Sequence, residues 1–526
     1  MSATQATIEE LAGIDGDGIE LPPNREKPFL KLPGHGQSFS QCASILFPKL
    51  AESKTLFLQG NSLARIAHGK IELSQPAALR SIAERPFSLI AERVGRGGKP
   101  VWAPALLSQD AANSLIATAE CREFMPRITG ILRSGFLRET NDRLEIVGPG
   151  YDERSGYFVL GGSTIPIVPL ERAVVDLRDL LADYDFATPA DESRAIAAMI
   201  TPAMRFGDFV KGHIPVEIAE ADKSQSGKTF RLVVNAAIYG EVAENVPKRT
   251  GGVGSFDEAL GMAVARGNPF VLIDNFRGRL NSPMLENLIT SETFDVRIPH
   301  RGYVPVDPTR VFFQISSNNM SSTEDFLNRA TVVRIRKRPP IHEWRQYPEG
   351  ELLDHVRANQ PHFLGCVFTV LKEWHRLGCP STRENRHSFR DWARKCDWIV
   401  QNLFGASPLL DGLSEIQERT ASADRSWLRA FMLAVEETGR LGVRMSASAI
   451  FELCQGRPEE TDCLPPGSRA DDETSRGARQ VGIVMMRLFG DSNRLEAEGY
   501  CLLREAIDCT TAQGGDIRKE YTATRS

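Results

Sequence analysis

The chain has 526 residues, with 63 lysines and arginines against 68 aspartates and glutamates and a formal net charge of −5. That balance excludes attachment to nucleic acid by bulk charge alone, so any such contact must come from local basic patches. An apolar fraction of 41% suits globular cores for about three or four domains, and no stretch approaches the roughly eighteen apolar residues of a membrane span, so no membrane contact is expected.

The opening MSATQATIEELAGIDGDG has no apolar core flanked by positive charge. No signal peptide is expected, and residues 1–24 read as a flexible N-terminus. The nine cysteines are scattered without a Cys-x-x-Cys pair, which suits free thiols in a reducing cytoplasm. Residues 25–172 read as an α+β accessory domain. Within it TLFLQGNSLARIAHGKIEL suggests a strand pair around Gly60 and Asn61, and RLEIVGPGYDERSGYFVL another around Asp152 to Ser155. No paired-carboxylate primase pattern occurs. LERAVVDLRDLLADY and DESRAIAAMITPAMR read as two helices leading into a core expected over 173–344.

That core is α/β, with three apolar strands each ending on a polar tip, and open α/β sheets bind ligands at such an edge. Val216 to Ala219 leads into Asp222, Lys223, Ser224, Gln225, Ser226, Gly227, Lys228, Thr229 and Phe230. Gly-Lys-Thr at the start of a helix is the chemistry of a phosphate-binding loop. Backbone N–H groups surround the phosphates, Lys228 reaches the same oxygens, and Thr229 holds Mg²⁺. The first glycine of such a loop is replaced by Asp222, a residue that turns less freely. The second strand, Phe270 to Ile273, ends on Asp274 and Asn275. Asp274 would join Thr229 on Mg²⁺; Asn275 can position a water but not take its proton, leaving Glu286 or Glu292 as helpers. The third strand, Val311 to Ile315, ends on Ser316, Ser317, Asn318 and Asn319, with Arg329 soon after. Asn318 would meet the γ-phosphate or its water, and Arg329 would neutralise charge in a neighbouring subunit's site.

Between the second and third tips, Asp295 to Val306 alternates about an Arg-Gly centre and reads as a hairpin. Arg297, His300, Arg301 and Tyr303 suit phosphate attraction and base stacking. Residues 345–415 read as a helical lid, with Arg390 a candidate nucleotide contact. His362 and Cys366, and His375 and Cys379, lie four apart on a helix expected over Phe363 to Leu377. Two pairs so far apart cannot meet on one ion without a partner, and a structural role is the simpler reading. Residues 420–510 read as helices and a two-stranded wing, with Arg476, Arg479 and Arg487 on the helix that would enter a groove. A flexible tail is expected over 511–526.

The motif order from Glu258 to Arg338, through VLIDN, LITSE, VFFQISSNNM and DFLNRATVVRIRKRP, resembles the AAA+-type, superfamily III-like replicative helicase ATPases of phages, plasmids and integrated mobile elements. The resemblance implies an AAA+/ASCE-like P-loop ATPase flanked by the N-terminal α+β domain and a C-terminal winged-helix-like domain. It also implies ATP and Mg²⁺ at subunit interfaces of a hexameric homo-oligomeric ring, single- or double-stranded DNA in its channel, replication proteins as partners, and a bacterial cytoplasm. The sequence departs from that pattern at Asp222, at Gln314 to Ser317, and at Asn328-Arg329, where two arginines are usual. An ATP-switched loader with weak hydrolysis and a protein-acting defence or signalling ATPase are the alternatives.

Overall fold

The computed structural model describes residues 27–34, 36–94, 100–221, 226–247, 255–280, 282–298, 302–339, 341–414, 423–456, 463–469, 471–497, 499–511 and 514–525. The chain divides into two compact units. One comprises Met1–Thr164, Arg249–Val271 and Ser291–Val311; the other comprises Ile165–Lys248, Leu272–Thr290 and Phe312–Ser526. The block expected over 173–344 is therefore split. Backbone hydrogen bonds explain why 249–271 joins the N-terminal module: Ile71 N donates to Arg266 O at 3.0 Å, and Ile131 N to Gly267 O at 3.0 Å. Buried Gln59 adds a bond from Nε2 to Ala265 O at 2.7 Å.

The first unit mixes helices with short sheets. Leu56–Gln59 and Ser62–Ala67 form the hairpin around Gly60 and Asn61, and Lys70–Leu73 adds a third antiparallel strand. The second expected pair differs. Arg143–Val147 turns back on Phe136–Thr140, and only Gly150–Tyr151 pairs across the Asp152 to Ser155 turn with Tyr157–Val159. Asn141 and Asp142, both at positive φ (50° and 59°), make the two-residue turn that redirects the strand. Ser38 caps the helix Phe39–Glu52 reciprocally with Gln41, and that helix buries Cys42, Leu46 and Phe47.

In the same unit Phe294–Ile298 pairs antiparallel with Gly302–Val306, placing Arg297 opposite Tyr303. Val296 and Val304 are buried, whereas Arg297 and Tyr303 are exposed, the alternation a half-buried hairpin requires.

The second unit is built on a mostly parallel six-stranded sheet. Its order is Asp185–Phe186, Ala330–Arg336, Val216–Ala221, Phe312–Ser321, Phe270–Arg279, Glu244–Asn245. Val216–Ala221 pairs in parallel with both neighbours, and every one of its residues is buried, the carboxylates of Glu217 and Glu220 included. The strands Phe270–Arg279 and Phe312–Ser321 continue past their polar tips rather than ending there. Beyond the tips Leu280 N still donates to Ser321 O at 2.7 Å.

The helix Leu170–Asp179 and the Thr188-capped helix Pro189–Phe206 precede the sheet. Leu352–Ala358, Gln360–Arg376 and Arg390–Asn402 follow it. Because the second of these stops at Arg376, Cys379 lies beyond its end and does not share a helix face with His375.

The C-terminal helices Ala423–Glu437, Ala447–Gln455 and Thr474–Phe489 bury Phe431, Phe451, Val481 and Met485. A Cβ on Gly477 would stand 2.3 Å from the Phe451 ring, so the close approach of the last two helices requires glycine there. The segment expected as a flexible tail is instead a strand, Gly514–Arg525, paired along its length with Tyr500–Thr511. It completes a four-stranded sheet with Arg444–Ser446 and Arg494–Ala497, and buries Tyr521 and Ala523. Among the described residues no helix is long and apolar enough to cross a membrane, and eight cysteines are free.

Candidate nucleotide site

Gly227 caps the helix Lys228–Ile238 with φ 83°, and an added Cβ would lie 3.1 Å from the Tyr184 ring. Both conformation and space restrict this position to glycine. The first turn of the helix carries buried Lys228 and half-buried Thr229 and Phe230. Its free N–H groups and the positive end of its dipole form an anion-binding end. Asp222, Lys223, Ser224 and Gln225 lie outside the described residues.

The helix is fixed from below by a buried network. Arg231 pairs with Glu217 at 2.5 Å, their side chains 0% and 1% exposed. The other Glu217 oxygen accepts from Gln314 Nε2 at 3.0 Å and from Asn235 Nδ2 at 3.3 Å. Strand, helix and neighbouring strand are thereby locked together, and removing one partner would leave a buried charge uncompensated.

Above that network, Thr229 Oγ1 donates to Asp274 Oδ1 at 2.7 Å, and Ser316 Oγ donates to the same oxygen at 2.5 Å. The two hydroxyls are 3.1 Å apart. Three oxygens from helix, second strand and third strand thus converge, although they are 45 and 87 residues apart along the chain. Ser316 also accepts from Asn275 N at 2.8 Å. Asn275 is held at φ 50°, a left-handed conformation that asparagine tolerates better than glutamate. The backbone therefore accounts for an amide at this position.

Gln314, Ser316 and Asn318 are spaced by two and share one face of their strand. Asn318 Oδ1 and Ser226 Oγ are buried without a hydrogen-bond partner among the described residues. Each such group costs about 1–3 kcal/mol when left unpaired. A hard all-oxygen donor set beside a buried lysine and partnerless acceptors fits a magnesium-bound phosphate.

Beside Gly227 opens a cavity of about 710 Å³, with Tyr184, Phe230 and Trp344 as aromatic walls and Asp183, Arg345 and Glu351 as charged ones. Its volume is that of a small-molecule site. The Tyr184 hydroxyl is buried without a partner among the described residues, and burial pushes its ionisation upward. Ser316, Gln314, Tyr184 and Trp344 were absent from the sequence-derived set.

The remaining expected residues are dispersed. Arg329 precedes Ala330–Arg336, where its carbonyl accepts from Val216 N at 3.1 Å and its guanidinium pairs with Asp325 at 2.5 Å. Glu286 is engaged by the Thr323 hydroxyl at 3.1 Å, and Arg390 is exposed at the start of its helix. Arg297 and Tyr303 stand on the exposed hairpin face; His300 and Arg301 lie outside the described residues. Arg476 and Arg487 are paired with Asp472 and Asp424 at 3.3 and 3.2 Å, while Arg479 is exposed.

No family model and no curated protein matches the sequence. Among solved structures, the apo A form of the NrS-1 C-terminal region is 11% identical at a TM-score of 0.34, with 91% of this chain and 98% of that one covered. An "SCCmec type IV Cch - active helicase" is 8% identical at a TM-score of 0.29, with 86% and 88% covered. At these scores a functional reading rests on the site's own geometry.

Proposed function

We propose that this chain is a Mg²⁺-dependent ATPase of the helicase class, acting on DNA as a ring of identical subunits. The observation that carries the reading is the convergence of Thr229, Asp274 and Ser316 at the first turn of the helix that follows Gly227. Lys228 and the helix N-terminus would hold the β- and γ-phosphates. Thr229 and Asp274 would hold the metal, which when bound draws charge from the phosphate oxygens.

Ser316 keeps the Asp274 carboxylate turned toward Thr229 and holds the Asn275 backbone. Asn318 would orient the attacking water through its amide, and Asn275 would assist without taking the proton. The aromatic walls of the 710 Å³ cavity suit a nucleotide base, and Asp183 and Glu351 offer acceptors to an exocyclic amine. Arg329 would leave Asp325 to reach the site of an adjoining copy, and Arg297, His300, Arg301 and Tyr303 would form a hairpin contact with DNA.

The motor reading predicts that single-stranded DNA stimulates steady-state ATP hydrolysis by the purified chain. Turnover that ignores DNA would move the reading to an ATPase acting on protein. Arg329→Ala should bind ATP but not turn it over, with activity returning in mixtures with Lys228→Ala; mixtures that stay dead would remove the intersubunit role. A nucleotide-switched loader is the second reading, favoured by Asn275, which cannot accept a proton. Binding without turnover in wild type would select it.

A further inference from the structure

His362 and Cys366 occupy adjacent turns of one face of Gln360–Arg376, a spacing that offers a metal ion two ligands and requires a third from elsewhere. The helix Leu170–Asp179 supplies it. Asp176 Oδ2 lies 2.7 Å from His362 Nε2, and Cys366 Sγ lies 3.6 Å from the same nitrogen. The three potential ligand atoms all fall within 4.8 Å of one another. Cys366 is fully buried, and the Asp176 and His362 side chains are 10% and 37% exposed.

We propose that Asp176, His362 and Cys366 form a zinc-class metal site, separate from the nucleotide site, that fastens the helix Gln360–Arg376 to the helix Leu170–Asp179. One oxygen, one imidazole nitrogen and one sulfur are a borderline donor set. It selects Zn²⁺ or Co²⁺ over Mg²⁺ and Ca²⁺, which take oxygen ligands only. Around a tetrahedral ion with bonds of about 2.0–2.3 Å, ligand atoms stand roughly 3.3–3.8 Å apart. The histidine–cysteine gap already has that length, and the aspartate–histidine gap must open by about half an ångström.

A cavity of about 290 Å³ adjoins Asp176 and His362, lined also by Tyr347, His355 and Asn359, and has room for a water as fourth ligand. The cation now at Asp176 is Arg172, whose Nε lies 2.8 Å from the carboxylate. Its side chain is 68% exposed and can turn into solvent when a metal takes its place. Metal binding forms a metal–sulfur bond and releases the Cys366 proton to solvent. Without the ion, burial pushes that thiol up to about 12 and keeps it protonated.

The test is a Co²⁺ titration of untagged, metal-free, full-length protein, followed by Zn²⁺. One equivalent of Co²⁺ should give tetrahedral ligand-field bands and a thiolate-to-cobalt charge-transfer band, both bleached by Zn²⁺, and either ion should raise the melting temperature. Cys366→Ser, nearly isosteric, should lose the charge-transfer band while keeping the wild-type circular dichroism spectrum. His362→Ala, at a half-exposed position that tolerates truncation, should weaken Co²⁺ binding by at least about tenfold. The proposal is overturned if wild type binds no Co²⁺ at one equivalent, or if the band persists in Cys366→Ser and so arises from another cysteine.

Discussion

Two polar clusters in the same unit differ in how they are completed. Around Asp191, every arm is closed by protein. Arg194 Nη2 donates to Asp191 at 2.7 Å, Nε to Val332 O at 2.7 Å, and Nη1 to Leu409 O and Asp411 O at 3.0 and 3.1 Å. Thr188 and Arg334 take the second Asp191 oxygen at 2.7 and 3.1 Å. Burial opposes ionisation of Asp191, but Arg194 and Arg334 outweigh it and hold the carboxyl below its usual range. The cluster at Thr229, Asp274 and Ser316 instead has, among the described residues, a partnerless oxygen on Asn318, which shares the Ser316 face of its strand, and another on Ser226, two residues before Lys228. A closed cluster fixes elements in place, whereas an open one leaves polar atoms to which a ligand can bond.

The sharpest way to separate the two is to break each. Arg194→Met removes a fully buried partner and leaves Asp191 charged, which should cost about 3–5 kcal/mol in urea unfolding. A loss below about 1 kcal/mol would place the closed cluster outside the stability core. Lys228→Ala should do the reverse: ATP turnover falls by about 10²–10³-fold, the effect of losing a charge-stabilising donor, and the unfolding midpoint barely moves. Retained wild-type turnover would show that the phosphate-loop reading is wrong.

The closed side also predicts a pH dependence. His387 is buried where the strand Ala330–Arg336 begins, its Nε2 3.4 Å from Ala330 O, and desolvation lowers its pKa from 6.5 to about 4. Between those values the unfolded chain binds the proton and the folded chain does not, so stability is full above about 6.5 and falls as pH drops toward about 4. The difference amounts to about 3 kcal/mol. His387→Asn should flatten the slope relative to wild type in that window. An identical slope would contradict a neutral buried imidazole.

The smallest expected effect concerns Ser316. Ser316→Ala removes one hydroxyl from Asp274 and from the Asn275 amide, which should lower turnover by roughly tenfold to a hundredfold, the range of one hydrogen bond to a charged group. Ser316→Thr, keeping the hydroxyl, should recover most of it. Equal losses in both variants would indicate a packing role.

What could be read from sequence was local. Gly227-Lys228-Thr229 and Asp274 stand out because a strand, a polar tip and a helix follow one another within a few residues. Ser316 could not be read as a functional residue. Its importance depends on pairing Phe312–Ser321 beside Val216–Ala221, where Ser316 stands opposite Ala219. The cavity that joins Tyr184 to Trp344 combines residues far apart in the chain, so no window contains it.

The Asn141-Asp142 turn carries no glycine to signal it, although both residues take positive φ. Polar, charged composition made 511–526 look loose, yet Tyr521 and Ala523 alternate inward along a strand. Asp176 joins His362 and Cys366 only through helix packing, which explains why the histidine–cysteine spacing alone pointed to no ligand set.

The most direct test of the central claim is equilibrium binding of ATP to the full chain with and without Mg²⁺, beside Thr229→Val. The account predicts that Mg²⁺ tightens binding to wild type and that this gain is lost in the variant, whose fold is unchanged. Equal affinity with and without Mg²⁺, or a wild-type Mg²⁺ response in Thr229→Val, would contradict it.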